Sequence, residues 1–250
     1  MTLQEKQAYV AEKLHLLPEE ELKIFNKNLA RVFAKNSSCF DTNETITLED
    51  VVSITKGHPV QGYDENLKRK VYNNYRGFRR LKDMLEENRA FDADLIKDLH
   101  EEVLNGYEGG GMYRNTMIHI NGSKYVPCDP IKIYKRMTKY FDEIDFGGMK
   151  GLELASFAHM QLAKIHPFLD GNGRVGRLVL NYVLMKEGFL PISIPVKRRY
   201  EYFDLLELYK TGTGEEQVDK NNPLPFAKFL EELENKEYDR LVELIKRYDK

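Results

Sequence analysis

The 250-residue chain is long enough for one large domain, or for one domain with an appendage. Its 38 Lys and Arg residues nearly balance 40 Asp and Glu residues, which argues against non-specific nucleic-acid binding. No apolar run approaches the roughly 20 residues of a membrane span, and the amino terminus has no apolar signal segment. The 2 cysteines form no CxxC pair, so neither a zinc ribbon nor a disulfide framework is indicated. We therefore expect a soluble, cytoplasmic protein.

Apolar residues recur at helical spacing through most of the chain. Asp64, Asp92 and Asp129 are candidate N-caps, each followed by such a pattern. Strongly apolar stretches predict two further helices over residues 152–165 and 175–187. The apolar residues near the carboxyl terminus allow either one long helix or two short ones. The sequence thus predicts a mainly α fold.

One segment departs from this helical pattern. Residues 116–120 and 123–126 are typical of short strands, and the Asn-Gly pair between them is typical of a two-residue hairpin turn. Three consecutive glycines at 109–111 precede the segment and provide a flexible joint. The sequence leaves open whether this hairpin is a surface feature or a working flap.

The segment from 165 to 177 contains the residues that indicate chemistry. Its three glycines have the spacing of a dinucleotide-binding loop, but that loop requires a preceding strand and a βαβ unit, and this region is predicted to be helical. No Gly-Lys-Ser/Thr follows the glycines, so a Walker A loop is also excluded. The remaining interpretation is a glycine-containing loop between two helices.

This loop combines a candidate base with a candidate phosphate cradle. Pro167 is expected to end the first helix, which leaves His166 facing the loop as a general base. Gly171 and Gly173 allow backbone amides to approach a ligand closely. The positive end of the next helix points to the same place, which favours an anion there.

Two arginines and a carboxylate complete the pattern. Arg174 and Arg177 lie three residues apart on one helical face, where their guanidinium groups can bind phosphate oxygens. Asp170 is a hard oxygen ligand of the kind that holds Mg²⁺ beside phosphates. Each residue alone is usually structural, but their joint occurrence around a Gly-x-Gly turn predicts a phosphoryl- or nucleotidyl-transfer site.

The stretch from His166 to Arg177 resembles the signature of the Fic (filamentation induced by cAMP) family, HPFx(D/E)GNGRxxR, at every defined position. Other residues that resemble the family framework are His159, Leu178, Asn181, Leu184, Gly188, Pro191, Pro195, Arg199 and Tyr202. The resemblance implies a mainly α, Fic-type helical core at 36–211, with one β-hairpin flap at 113–127 and the motif loop at 166–177. We expect a helical segment at 1–35 before the core and a helical extension at 212–250 after it, since the polar stretch at 212–222 is typical of a loop.

Fic proteins mostly transfer AMP from ATP to a Ser, Thr or Tyr hydroxyl of a target protein and release pyrophosphate. The resemblance therefore implies a protein adenylyltransferase, a nucleotidyltransferase with ATP as substrate and Mg²⁺ as cofactor. Its partners would be ATP and a hydroxyl-bearing protein, which could be another copy of this chain. A homodimer is the family-level expectation, and neither nucleic acid nor a membrane is expected as a partner.

The family's site roles transfer to matching positions of this chain. His166 would take the proton from the target hydroxyl, and Asp170 would hold Mg²⁺ against the α- and β-phosphates. Arg174 would bind near the β-phosphate, and Arg177 would orient the γ-phosphate. The anion hole would be formed by Gly171, Asn172, Gly173 and Arg174. His159, in contrast, is interpreted as structural.

The resemblance assigns further roles outside the motif. Tyr202 resembles the aromatic residue that lies near the adenine. The flap would clamp the main chain of the target by adding a strand to it, through Met117, Ile118, His119 and Ile120.

The family often carries an inhibitory helix, [S/T]xxxE(G/N), whose Glu pairs with the second motif arginine. The closest upstream match is residues 37–43, with Ser37 at the first position and Asp41 where Glu is usual. Two interpretations remain open. The segment is either a weakened inhibitory element, with Asp41 facing Arg177, or an ordinary polar loop.

Alternative functions also remain open. A family variant could transfer UMP, phosphate or phosphocholine instead, although the GNGR sequence disfavours the phosphate branch, in which the loop is ANKR. A catalytically silent interaction module is disfavoured because His166, Asp170, Arg174 and Arg177 are all present. A helical transcription factor is disfavoured by the near-neutral charge.

Overall fold

The computed structural model describes residues 1–40, 42, 44–209 and 223–249. Within these residues the chain is mainly helical, as the sequence predicts, and no helix among them is long and apolar enough to cross a membrane. The α-helices of this part, in chain order, are α1 (Leu3–Lys13), α2 (Glu19–Cys39), α3 (Leu48–Thr55), α4 (Glu65–Glu86), α5 (Ala93–Val103), α6 (Ile133–Phe146), α7 (Gly151–Ile165), α8 (Asn172–Lys186), α9 (Arg199–Leu208) and α10 (Leu224–Lys246).

Helices α7 and α8 form the centre of the fold. Their buried residues occur on nearly every face, which is the pattern of helices surrounded by other helices. Helices α6 and α10 pack against α7, and α4 and α5 pack against α8. The short loop that joins α7 to α8 is therefore fixed at both ends by the main apolar core.

The predicted N-caps determine where several helices begin. The side chain of Asp64 accepts a hydrogen bond from the amide of Leu67 at 2.6 Å, and Asp92 accepts one from Leu95 at 2.9 Å. Asp129 instead caps a short 3-10 turn, which leads into α6. All three cap predictions are confirmed, with α6 starting a few residues later than the cap.

The two ends of the chain share a second, smaller apolar cluster. It consists of Leu3, Val10, Leu17, Phe25, Tyr238, Leu241, Val242 and Ile245. Helix α10 is one continuous helix, so the single long helix is the correct one of the two carboxyl-terminal alternatives. Helix α2 runs through the predicted boundary at residue 35 and enters the main core. The predicted boundary at residue 211 lies outside the described residues.

The predicted hairpin is present as a turn, without paired strands. The amide of Ser123 donates to the carbonyl of Ile120 at 3.1 Å, and Gly122 has a positive φ of 78°. The described residues contain no β-strand, and no backbone hydrogen bond among them joins 116–119 to 124–127. The strand prediction therefore needs correction. A two-stranded ribbon is marginally stable by itself, and no further described strand supports this one.

The last helix, α10, carries a buried carboxyl group. Glu234 on α10 is 0% exposed, and neither of its carboxyl oxygens has a hydrogen-bond partner within the described part of the chain. Burial is the largest cause that raises the pKa of Glu234 from 4.5 to about 9; the backbone amide of Leu190 is close enough to oppose this in part but does not form a hydrogen bond of good geometry. Folding therefore takes up a proton at neutral pH.

This burial predicts a pH dependence of stability. Between pH 4.5 and about 9 the unfolded chain releases the Glu234 proton that the folded chain retains, so the free energy of unfolding should fall as pH rises. We expect Glu234→Gln to flatten this slope and to gain roughly 4 kcal/mol relative to wild type between pH 5 and pH 8. Urea unfolding at several pH values measures the slope. Glu231→Gln, on the exposed side of α10, is the control, and an unchanged slope in Glu234→Gln would contradict the prediction.

Candidate active site

The loop between α7 and α8 begins with a strained residue. Pro167 cannot continue a helix, and α7 ends at Ile165. His166 adopts the left-handed conformation, with φ of 51° and ψ of 60°, and donates its amide to Leu162 at 2.9 Å. Asn88 is the one other non-glycine residue with positive φ in the described ranges. Such strain costs about 1 kcal/mol or more and is found preferentially at functional sites.

The His166 ring is oriented by the end of its own helix. Its Nδ1 atom lies 3.1 Å from the carbonyl oxygen of Ala163. Because a carbonyl oxygen only accepts hydrogen bonds, Nδ1 carries the proton in the neutral ring. The lone pair then lies on Nε2, which is the arrangement that a general base requires.

Asn172 locks the shape of the loop. Its side chain accepts a hydrogen bond from the amide of Phe168 at 2.9 Å and donates one to the carbonyl of Phe168 at 2.8 Å. Gly171 precedes it with a positive φ of 78° and starts α8. Both polar groups of the Asn172 side chain are thus bonded within the loop. An anion at this position would therefore contact the backbone amide of Asn172. The first-turn amides of a helix have no acceptor within that helix.

Asp170 and Arg174 lie together at the mouth of the loop. Their Oδ2 and Nη2 atoms are 3.0 Å apart, and Arg174 also donates to the carbonyl of Val103 at 3.4 Å. The Asp170 side chain is 76% exposed, whereas that of Arg174 is buried at 8%. The ion pair therefore joins a buried guanidinium group to a carboxylate that is exposed to solvent.

The carboxylate of Asp170 is compatible with Mg²⁺. It is the hard oxygen donor that Mg²⁺ prefers, and it lies on the open side of the loop. No group of three His, Cys, Asp or Glu side chains within the described residues could hold a metal without other ligands. One carboxylate suits a Mg²⁺ ion whose other ligands are phosphate oxygens and water.

Arg177 is buried on α8 and contacts the end of α2. Its Nε donates to Ser37 Oγ at 3.1 Å, and its Nη2 donates to the Ser37 carbonyl at 3.0 Å. The guanidinium also lies over the ring of Phe40 at 4.7 Å. The structure thus brings together Ser37 and Arg177, two of the predicted site residues. Asp41 lies outside the described residues.

A buried polar network holds the end of α2 against α4. Ser37 Oγ donates to Asn74 Oδ1 at 3.1 Å, and Asn74 Nδ2 donates to Ser38 Oγ at 2.9 Å. Asn74 is fully buried. The last turn of α2 is therefore fixed in place beside Arg177.

His100 is a site residue that the sequence did not reveal. Its Nδ1 accepts the amide of Gly111 at 3.0 Å, so Nε2 carries the proton and donates to the carbonyl of Asp170 at 3.0 Å. The ring stacks on Phe168 with centroids 3.7 Å apart. Burial lowers the pKa of His100 to about 4, which keeps the ring neutral.

Arg114 is the second such residue. Its guanidinium donates to the carbonyls of His166 at 2.9 Å, Thr116 at 2.9 Å and Cys128 at 2.6 Å. The residue follows the three glycines, and nothing at that position in the sequence distinguishes it from a surface arginine. Only the long-range contacts identify it.

The predicted flap residues lie in a segment that is neither helix nor strand. Met117 and His119 are exposed, while Ile118 and Ile120 are half-buried. The turn is held against α9 by a hydrogen bond from Ser123 Oγ to Glu207. Beyond the turn, the Tyr125 ring covers the ammonium group of Lys164 at 4.4 Å.

Tyr202 is buried in the core. It is 2% exposed, its hydroxyl lies 2.8 Å from Nε2 of His159, and its ring contacts Phe40 and Phe226 edge-on. Its place near a nucleotide stays a prediction. His159 is bonded at both ring nitrogens, with Nδ1 2.8 Å from the Gly176 carbonyl, and burial lowers its pKa to about 4. The structural interpretation of His159 is confirmed.

The chain is similar in sequence to proteins of one family. Residues 90–184 match the model of the Fic/DOC family. The chain is 31% identical over 183 residues to a protein adenylyltransferase Fic of Nematostella vectensis, a match that covers 71% of this chain and 38% of that protein. A protein adenylyltransferase fic-1 of Caenorhabditis briggsae is 32% identical over 132 residues, covering 51% of this chain and 26% of that protein. The chain spans less than half the length of these relatives.

Solved structures share the same architecture. A Fic domain containing signaling protein from Bacteroides thetaiotaomicron superposes with a TM-score of 0.84 at 23% identity, covering 98% of this chain and 95% of that one. Fic-1 from C. elegans gives a TM-score of 0.78 at 22% identity, covering 97% and 70% of the two chains. These similarities show a common fold.

The Asn172 lock predicts a stability effect. Asn172→Ala leaves the buried amide and carbonyl of Phe168 without partners, and we expect the free energy of unfolding to fall by about 2–3 kcal/mol. Chemical denaturation measures this loss. Asn105→Ala, an exposed position, is the control and should change stability by less than about 0.5 kcal/mol. Equal effects of the two substitutions would contradict the proposed lock.

Proposed function

Because the chain belongs to the Fic/DOC family, we propose that it is a protein adenylyltransferase, which transfers AMP from ATP to a hydroxyl group of a target protein. The observation that carries this proposal is the loop at 166–177. There a base with its lone pair on Nε2, a helix N-terminus, an exposed carboxylate and a buried arginine converge. Transfer of this kind depends on positioning and on charge neutralisation.

His166 is the general base in this proposal. The target hydroxyl oxygen attacks the α-phosphorus, its proton moves to Nε2 of His166, and the bond to pyrophosphate breaks. The hydrogen bond from Nδ1 to Ala163 persists in the protonated ring. The negative end of α7 stabilises that positive charge, because His166 lies at the carboxyl terminus of the helix.

The start of α8 is the phosphate site. The backbone amides at Asn172, Gly173 and Arg174 point toward the loop from the positive end of the helix. The guanidinium of Arg174 adds a charge next to them, and Asp170 would hold Mg²⁺. When bound, Mg²⁺ supplies further neutralisation of the polyphosphate and orients it. Tyr202 would contribute from the floor of the nucleotide site, since its ring is buried.

The segment at 113–127 is the target-binding flap. Its turn is formed and its arms make no backbone hydrogen bonds to each other within the described residues, so a strand of the target could add to it through such bonds. The exposed side chains of Met117 and His119, beside Ile118 and Ile120, would contact the target. In this proposal the β-hairpin is completed when the target supplies the missing pairing partner.

The end of α2 restrains Arg177. Two hydrogen bonds to Ser37 hold the guanidinium that the family uses for the γ-phosphate. Helix α4 fixes Ser37 through Asn74, so the restraint is built into the core. We infer an inhibitory role for Ser37, with Asp41 as the candidate acidic partner.

Intact-mass spectrometry after incubation with ATP and Mg²⁺ tests the proposed reaction. With a cell lysate as target source, wild type should attach AMP to protein, and His166→Ala should slow this at least about 100-fold. The control is His58→Ala, an exposed histidine between α3 and α4. Transfer from UTP or CDP-choline in place of ATP would show that the protein transfers UMP or phosphocholine. The absence of any transfer from all of these donors would favour a catalytically silent interaction module.

Loss of the restraint on Arg177 should raise activity. Ser37→Ala removes the side-chain contact to Arg177, and Asp41→Ala removes the candidate acidic partner, so we expect each to increase AMP transfer several-fold. Initial rates at limiting ATP measure the effect. The matched control is Ser38→Ala, which alters the network with Asn74 and has no hydrogen bond to Arg177. Unchanged rates in both variants would exclude the inhibitory role.

A further inference from the structure

Arg114 joins three separate parts of the chain with one buried side chain. Nε donates to the carbonyl of His166, Nη1 to that of Thr116 and Nη2 to that of Cys128, all within 2.9 Å. Its backbone amide also donates to the Pro167 carbonyl at 2.9 Å. The residue is 5% exposed.

The geometry of these contacts requires arginine. A guanidinium offers five N–H donors in one rigid plane, whereas a lysine ammonium is a compact charge on a flexible stem. No carboxylate forms an ion pair with Arg114 among the described residues, so backbone carbonyls stabilise its charge. One of them belongs to His166, at the negative end of α7. Burial of a cation in this way is costly unless every donor direction is used.

The three carbonyls have distinct roles in the proposed reaction. Thr116 and Cys128 bracket residues 117–127, which make up most of the proposed target-binding flap at 113–127. His166 is the proposed base. One rigid side chain therefore sets the spacing between the flap and the base.

We propose that Arg114 is a positioning residue that couples the target-binding segment to His166. The proposal rests on the proposed function for the identity of the two coupled parts. It implies that Arg114 acts on the transfer step and on the order of the flap, and that it leaves ATP binding to α8 unchanged. A purely structural arginine would change stability alone.

Arg114→Lys separates the two possibilities, because it keeps the charge and removes the fork. The matched control is Arg31→Lys, since Arg31 is also buried and donates to Thr55 Oγ1 at 3.1 Å, on α2 and away from the loop. Arg114→Gln, which removes the charge, is the second variant. Thermal unfolding of all three variants corrects for a general loss of stability.

Hydrogen–deuterium exchange of the full chain is the first readout. We expect the hydrogen-bonded amides of this segment, those of Ser123 and Tyr125, to exchange at least tenfold faster in Arg114→Lys than in wild type or Arg31→Lys at matched stability. The second readout is the rate of AMP transfer to lysate protein, expected to fall at least 100-fold, with the affinity for ATP within twofold of wild type.

Unchanged exchange at 117–127 in both Arg114 variants would overturn the proposal, as would equal loosening in Arg31→Lys. A loss of ATP affinity in parallel with transfer would also overturn it. If wild type transfers no AMP, the proposed function fails, and the exchange experiment still decides whether Arg114 orders the segment.

Discussion

The structure depends on the burial of three arginines around one short loop. Arg114, Arg174 and Arg177 all lie in the interior, and backbone oxygens accept hydrogen bonds from each of them. Such a concentration of charge in a core is costly unless each guanidinium is bonded and an anion lies nearby. The packed pair α7 and α8 supplies the rigid frame for these hydrogen bonds. The fold thus places three buried guanidinium groups around the loop, and one of them, Arg174, forms an ion pair with Asp170.

The loop is held in its shape before any ligand binds. His166 lies in a left-handed conformation, and Asn172 bonds both backbone groups of Phe168. His100 supports the loop from below by stacking on Phe168 and by bonding Asp170. In the proposed reaction, preorganisation of this kind would place the base, the amides and the carboxylate without a reorganisation cost at the moment of transfer. Stability and chemistry therefore draw on the same contacts.

Local signals in the sequence predicted much of this arrangement. The helices, their Asp caps and the loop at 166–177 follow from residues that are near each other in the chain. Arg114 and His100 escaped prediction because their partners are 52 and 70 residues away. For the hairpin, in contrast, a local signal led to a prediction of paired strands that the structure does not contain among its described residues. Its Asn-Gly turn is a local signal and forms, whereas strand pairing needs support from outside the segment. The burial of Tyr202 also could not be predicted locally, because the rings that cover it belong to Phe40, at the end of α2, and Phe226, on α10.

The central claim is that this site transfers AMP, and the fate of each phosphate of ATP tests it most directly. Wild-type protein, Mg²⁺ and a cell lysate would be incubated in parallel with ATP labelled at the α-phosphate and ATP labelled at the γ-phosphate. Relative to the same reaction with His166→Ala, wild type should add label to protein from the α-phosphate only, with labelled pyrophosphate released from the γ-labelled substrate. Protein labelled from the γ-phosphate alone would show phosphate transfer and would contradict the account.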